Sequence, residues 1–158
     1  MGLIISASED FSFGRYSIND DDNTRQNLKE YVRLKERYFL NQLLGIELAG
    51  LLIADLDQYK MPQDPRFSAI FDPLSYEVNN ELCYSEGIRE ILKGLIYSEF
   101  TREQNHKNTI NGNAQDLYPQ GELISSNMAG LTAKYNSIMD SFYAVQYFCI
   151  EHKDVYPE

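Results

Sequence analysis

Tryptophan is absent from this 158-residue chain, cysteine occurs only twice, and histidine only twice. Each shortage removes a class of function. Cys83 and Cys149 lie far apart and neither sits in a Cys-x-x-Cys pair, so the sequence offers no thiol–disulfide motif. Cys149 falls in an apolar helical stretch, where a free thiol packs as a small hydrophobe. Two reduced thiols in a reducing compartment are the better reading, with a single disulfide as the alternative. No segment reaches the roughly 20 successive apolar residues that a membrane span needs. The stretch MGLIISASEDFSFGR at positions 1–15 has no basic region ahead of its short apolar run, so it does not read as a signal peptide. His106 falls in a polar stretch and His152 near position 158, where a lone histidine is ordinary surface.

Positive charge is also scarce. Fourteen Lys and Arg stand against 24 Asp and Glu, for a net charge of -10. Such a surface repels nucleic acid at long range, which argues against sequence-specific DNA binding. Two readings of the excess acid stay open: plain solubility, or an acidic wall along which a duplex slides without sticking.

Catalytic signatures are missing as well. There is no G-x-S-x-G, H-E-x-x-H, EF-hand loop, P-loop or G-x-G-x-x-G. Asp55 and Asp57 are two apart on a helix and so point to different faces, the wrong spacing for a paired-carboxylate site. Asp20, Asp21 and Asp22 read as an acidic helix start, where the helix dipole favours negative charge. The sequence therefore predicts no enzyme, no cofactor and no metal.

What is abundant is tyrosine, with 12 copies beside 8 Phe. Tyrosine joins a large apolar body to a polar tip, which suits either interfaces or the edges of helix packing. Helical periodicity dominates the rest. A first helix is expected over about 23–44, with Leu28, Tyr31, Val32, Tyr38 and Phe39 as its apolar face and Gly45 just past its end. A second, over about 46–59, is apolar almost all round and reads as central and buried. Pro62 and Pro65 then stop helical structure, and residues 66–84 read as short strands or an extended wrap. A third helix starts near Ser85 as N-cap, with Ile88, Ile91, Leu92, Leu95 and Ile96 on one face. Gly94 inside it implies close approach of another helix. Residues 105–123 form a polar arm, with Thr109-Ile110 and Asn113-Ala114 flanking Asn111-Gly112 as a hairpin signal. The longest helix, about 125–152, carries Met128, Leu131, Tyr135, Ile138, Phe142, Val145 and Cys149 at alternating steps of three and four. Met139, Tyr143 and Phe148 widen that stripe, which favours burial in a bundle over a two-strand coiled coil.

The fold class predicted is thus mainly α: a bundle of about four helices, with the polar arm or β-hairpin at 105–123 and a short extended segment at 66–84. The organisation is a single domain over 25–152, preceded by an acidic arm, 1–24, and followed by a tail, 153–158. An arm of that composition becomes ordered by lying on something, either a partner or its own chain.

Two features are candidates for contact. Arg25, Lys29, Arg33 and Arg37 recur every four residues along the first helix. In so acidic a chain they form either a seam for an acidic neighbour or a solvated face. The polar arm supplies Asn108, Thr109, Ile110, Asn111, Gly112 and Tyr118 as the second candidate interface.

The order of elements carries a resemblance. Tyr38–Gly45 (YFLNQLLG), Ser85–Phe100, Asn108-Thr109 with Gly112, and Lys134-Tyr135-Asn136 together resemble the small head–tail connector (adaptor or ring) proteins of tailed bacteriophages, including those of crAss-like and related phages. The likeness covers about residues 25–152. It implies a helical bundle with an extended arm, and a ring of about twelve copies docked below the portal and open along its axis for DNA. It also implies self, the portal protein and further neck or tail rings as partners. Genomic DNA would be a non-specific neighbour, there would be no membrane partner, and the location would be the neck of a virion made in the host cytoplasm. The alternative is a soluble helical binding or regulatory module whose acidic surface takes a basic protein.

Overall fold

The computed structural model describes residues 3–18, 22–110 and 121–158, with the backbone alone over 105–110 and 121–128. The chain is mainly helical. Among the described residues, the α-helices are α1 (Asp22–Leu44), α2 (Ile46–Asp55), α3 (Pro65–Phe71), α4 (Ile88–Ile110) and α5 (Gly121–Glu151). Strands β1 (Leu74–Val78) and β2 (Glu81–Ser85) form one antiparallel hairpin. The long helices α1, α4 and α5 pack on one another, α2 lies against α1, and the hairpin lies on α5.

The bundle closes where the periodic apolar residues meet. Leu28, Val32 and Leu40 of α1 face Ile91, Leu92 and Ile96 of α4 and Ile138 and Val145 of α5 in one continuous core. Of the stripe expected on α5, Ile138, Phe142 and Val145 are buried in the chain's own core, whereas Tyr135 and Tyr143 are exposed. Gly94 sets the α4–α5 spacing: a Cβ there would lie 2.3 Å from Ile138 Cδ1. Polar ties add direction. The Tyr31 hydroxyl donates to Glu99 at 2.8 Å and to Glu103 at 3.1 Å, joining α1 to α4. Gln146 of α5 donates to the carbonyls of Gln42 and Leu43, which the end of α1 leaves without helical partners.

Several expectations are corrected by packing. α2 is not buried all round, since Ile46 is 78% exposed and Leu51 also faces solvent. It ends at Asp55, because the following loop is braced by carboxylates. Asp55 Oδ2 accepts from the backbone of Gln63 and Asp64, and Asp57 Oδ1 from Tyr59 and Met61. Pro65 starts a helix rather than only stopping one: Asp64 caps α3 by accepting from Arg66 N, and proline tolerates the first helical position. The extended segment narrows to the hairpin, whose turn residues Asn79 and Asn80 have φ of 52° and 65°. Both positive values suit a two-residue turn that matches strand twist. Ser85 ends β2, and its hydroxyl accepts from Gly87 N just before α4.

Of the two placements open to the N-terminal segment, it takes its own chain. Ile4, Ile5, Phe11 and Tyr16 are buried in the core. Glu36, 1% exposed in mid-α1, accepts from the backbone nitrogens of Leu3, Ile4 and Ile5. Arg89 of α4 pairs with Asp10 at 3.0 Å, and Arg15 with Glu86 at 2.7 Å. The C-terminal segment is likewise docked: the Tyr156 hydroxyl donates to the Arg66 carbonyl, and Arg66 pairs with Glu158 at 3.2 Å.

Candidate assembly interface

α1 turns its buried stripe inward and leaves a mixed face outward. An i+4 step overshoots one turn by about 40°, so the four cations wind around the helix. Arg25 is partly buried and engaged within the chain. Lys29, Arg33 and Arg37 are exposed, and none forms an ion pair or hydrogen bond among the described residues. The three span about 12 Å of helix at 1.5 Å per residue. On the adjoining side of the helix stand Leu34, 66% exposed, and Tyr38, 52% exposed, with exposed Glu30 between them and the cations. Tyr38 and Phe39 were both expected on the apolar face; Phe39 is buried there, while Tyr38 turns outward and stacks on it edge-on at 5.4 Å. A cluster of Arg, Tyr and Leu at the surface has the composition of an interface core more than of a solvated helix face.

The arm is shorter than the sequence suggested. α4 continues through Asn108, Thr109 and Ile110, and α5 begins at Gly121. Thr109 and Ile110 are thus helical rather than the first strand of a hairpin; the stretch from Leu95 to Ile110 holds no glycine or proline to stop α4 earlier. Asn111, Gly112 and Tyr118 lie outside the described residues.

The β-hairpin, not among the expected contacts, carries a second exposed face. Leu82 is 78% exposed and Tyr84 55% exposed. Glu77 stands opposite Leu82 on that face, whereas Glu81, opposite Val78 beside the turn, belongs to the other face. The other face of the hairpin is held down: the Tyr76 hydroxyl donates to the Ala144 carbonyl at 2.6 Å and its ring meets Phe148 edge-on. The signal in the sequence was Leu82 and Tyr84 on alternate positions beside a turn; among the described residues the sheet has two strands.

Reactive groups are set for structure. His152 Nδ1 lies 2.9 Å from the Phe148 carbonyl, with its ring against Phe148. Cys149 borders an open groove of about 600 Å³ with Leu43, Leu44, Leu48, Ile150 and Tyr156. Burial pushes its thiol up to about 11, which leaves it protonated and unreactive near neutrality. Burial likewise raises the hydroxyls of Tyr16, Tyr76 and Tyr156 to about 12. Tyr31 is raised by burial and by its carboxylate partners, Glu99 first. Among the described residues, no group of three or more His, Cys, Asp or Glu could hold a metal ion, and no single helix is long and apolar enough to cross a membrane. The sequence matches no protein-family model, and neither curated proteins nor solved structures give a significant match.

Proposed function

We propose that the chain is a structural virion protein that assembles into a ring of about twelve copies between the portal and tail of a tailed phage. The ring seals the neck and passes DNA through an acidic channel, without catalysis or cofactor. One observation carries the reading beyond the sequence resemblance. On a chain of net charge -10, Lys29, Arg33 and Arg37 are exposed along α1 and enter no ion pair among the described residues, and Leu34 and Tyr38 are exposed on the adjoining side of the helix. Exposed cations beside Leu34 and Tyr38 on an acidic molecule, with Glu30 the one acid among them, support contact with a partner surface that carries acid, which further copies and neck proteins would supply. Excess acid elsewhere suits a wall that does not retain a duplex.

The test is the mass of the purified chain, by native mass spectrometry, alone and mixed with portal protein. A closed ring on its own or on the portal supports the reading. A monomer that ignores the portal rejects it and turns attention to the alternative, a helical module that binds a basic protein through its acidic surface.

A further inference from the structure

Val32, Glu36 and Leu43 of α1 are buried, and at about 100° per residue they lie opposite Leu34. Leu34 is therefore the crest of the outward face, and it is 66% exposed. One flank of that crest carries Glu30 and Arg37. Four residues back and three forward turn the same way around the helix, by about 40° and 60°. The other flank carries Tyr31 and Tyr38, three back and four forward, by the same rule. Glu30 and Arg37 are both exposed, and among the described residues neither enters an ion pair. Tyr38 is exposed and Tyr31 half-buried. Lys29 and Arg33 lie about 140° and 100° from the crest, outside this face.

We propose that the α1 faces of two copies of this chain pack antiparallel about a two-fold axis at Leu34. Such an axis reverses the helix and keeps each flank on its own side. Leu34 then meets Leu34 of the second copy. Glu30 meets Arg37, offset along the helix by about 1.5 Å, one residue of rise. Symmetry makes that ion pair twice. On the other flank Tyr38 meets Tyr31, also twice. Charge complementarity selects the second copy as occupant, because the face carries its own complement: one acid and one base, equally placed on either side of the crest. The contact is isologous, so it closes at two copies and cannot by itself build a ring. It therefore goes beyond the ring reading: the pair covers the α1 face while the chain is off the ring, and assembly takes that face from it. Two ion pairs and four exposed apolar or aromatic side chains make a small, transient contact.

Sedimentation velocity of the full chain, over a concentration series at low salt, tests the pairing. The unaltered chain should pass from one copy to two and stop there, and added salt should weaken the step. Glu30→Arg sets cation against cation, and Arg37→Glu sets acid against acid. Each alone should weaken pairing about fivefold or more. An equimolar mixture of the two variants matches opposite charges at both contacts, so the mixture should pair as the unaltered chain does. Both side chains are exposed, and circular dichroism checks that each variant keeps the helical fold. The pairing is overturned if the unaltered chain stays single or grows past two copies on its own. It is equally overturned if the reversals leave association unchanged, or if the mixture pairs no better than its components. Assembly on portal protein decides the ring reading separately, whichever of these results appears.

Discussion

Glu36 Oε1 lies 2.6 Å from the backbone nitrogen of Ile5, and the same carboxylate also takes the N–H groups of Leu3 and Ile4. One buried acid in α1 thus gathers three backbone donors of a segment that has no strand or α-helix of its own to satisfy them. Hydrogen bonds to a charged group are worth about 1.5–3 kcal/mol each, and orphaned buried donors add a desolvation cost. Glu36→Ala should therefore lower unfolding free energy by about 3 kcal/mol or more, read by urea denaturation. Hydrogen exchange at Ile4 and Ile5 should speed up in step. A loss under about 1 kcal/mol would mean that apolar burial of Ile4, Ile5 and Phe11 alone holds the segment.

The glycines of α2 and α4 offer a paired comparison. A Cβ at Gly94 would collide with Ile138, whereas one at Gly50 meets nothing within 4 Å. Gly94→Ala should cost about 1–3 kcal/mol through overpacking, and Ile138→Val, which removes the clashing Cδ1, should restore part of it. Gly50→Ala should gain about 0.5–1 kcal/mol, because alanine is the better helix former. Thermal unfolding of Gly94→Ala, of Gly94→Ala with Ile138→Val, and of Gly50→Ala reads both signs. Equal effects at the two positions would show that helix approach plays no part.

Stability should fall in alkali. Burial raises Tyr16, Tyr76 and Tyr156 from the ordinary 10 to about 12, and Cys149 from 9 to about 11. These acids keep their protons longer folded than unfolded, so the folded state binds more protons above pH 9. Their contribution is whole below the unfolded values and is lost as pH rises through the window from about 9 to about 12. Urea midpoints at pH 8, 10 and 11 should decline in that order. Tyr76→Phe should flatten the decline and, by removing the bond to Ala144, lower the midpoint at pH 8. A flat profile from pH 8 to 11 would contradict the buried hydroxyls.

Leu34→Asp separates assembly from folding. The residue is mostly exposed, and substitutions at such positions change stability by about 0.5 kcal/mol or less. It should leave the melting temperature in place and weaken ring formation on the portal. A folded variant that assembles normally would remove the α1 face from the interface.

The sequence by itself determined the elements whose signal is local. The 3.6-residue apolar period wrote α1, α4 and α5, and Met139 and Phe148, which widen the α5 stripe, marked a bundle face rather than a coiled-coil seam, although Tyr143, read with them, is exposed. Gly45 marked the end of α1, where its φ is 81°, and Gly94 marked a close helix approach. The Asp64-Pro65 start of α3 was present as an N-cap followed by proline, yet the aromatic and β-branched residues after it read as extended. Tertiary structure alone decided the rest. Ile4, Ile5, Phe11 and Tyr16 follow no period, so only the pocket formed by α1 and α4, with Glu36 inside it, could show that they belong to the core. The same holds for exposure. Phe39 and Tyr38 are neighbours of similar hydrophobicity, and which one turns outward depends on where α4 and α5 press against α1. The hairpin was only half specified: its turn residues are local, but the burial of one face and the exposure of Leu82 and Tyr84 follow from the single sheet partner and the position of α5. Local periodicity fixes which residues share a face. Packing against elements distant in sequence fixes which face is buried and which is left for another molecule.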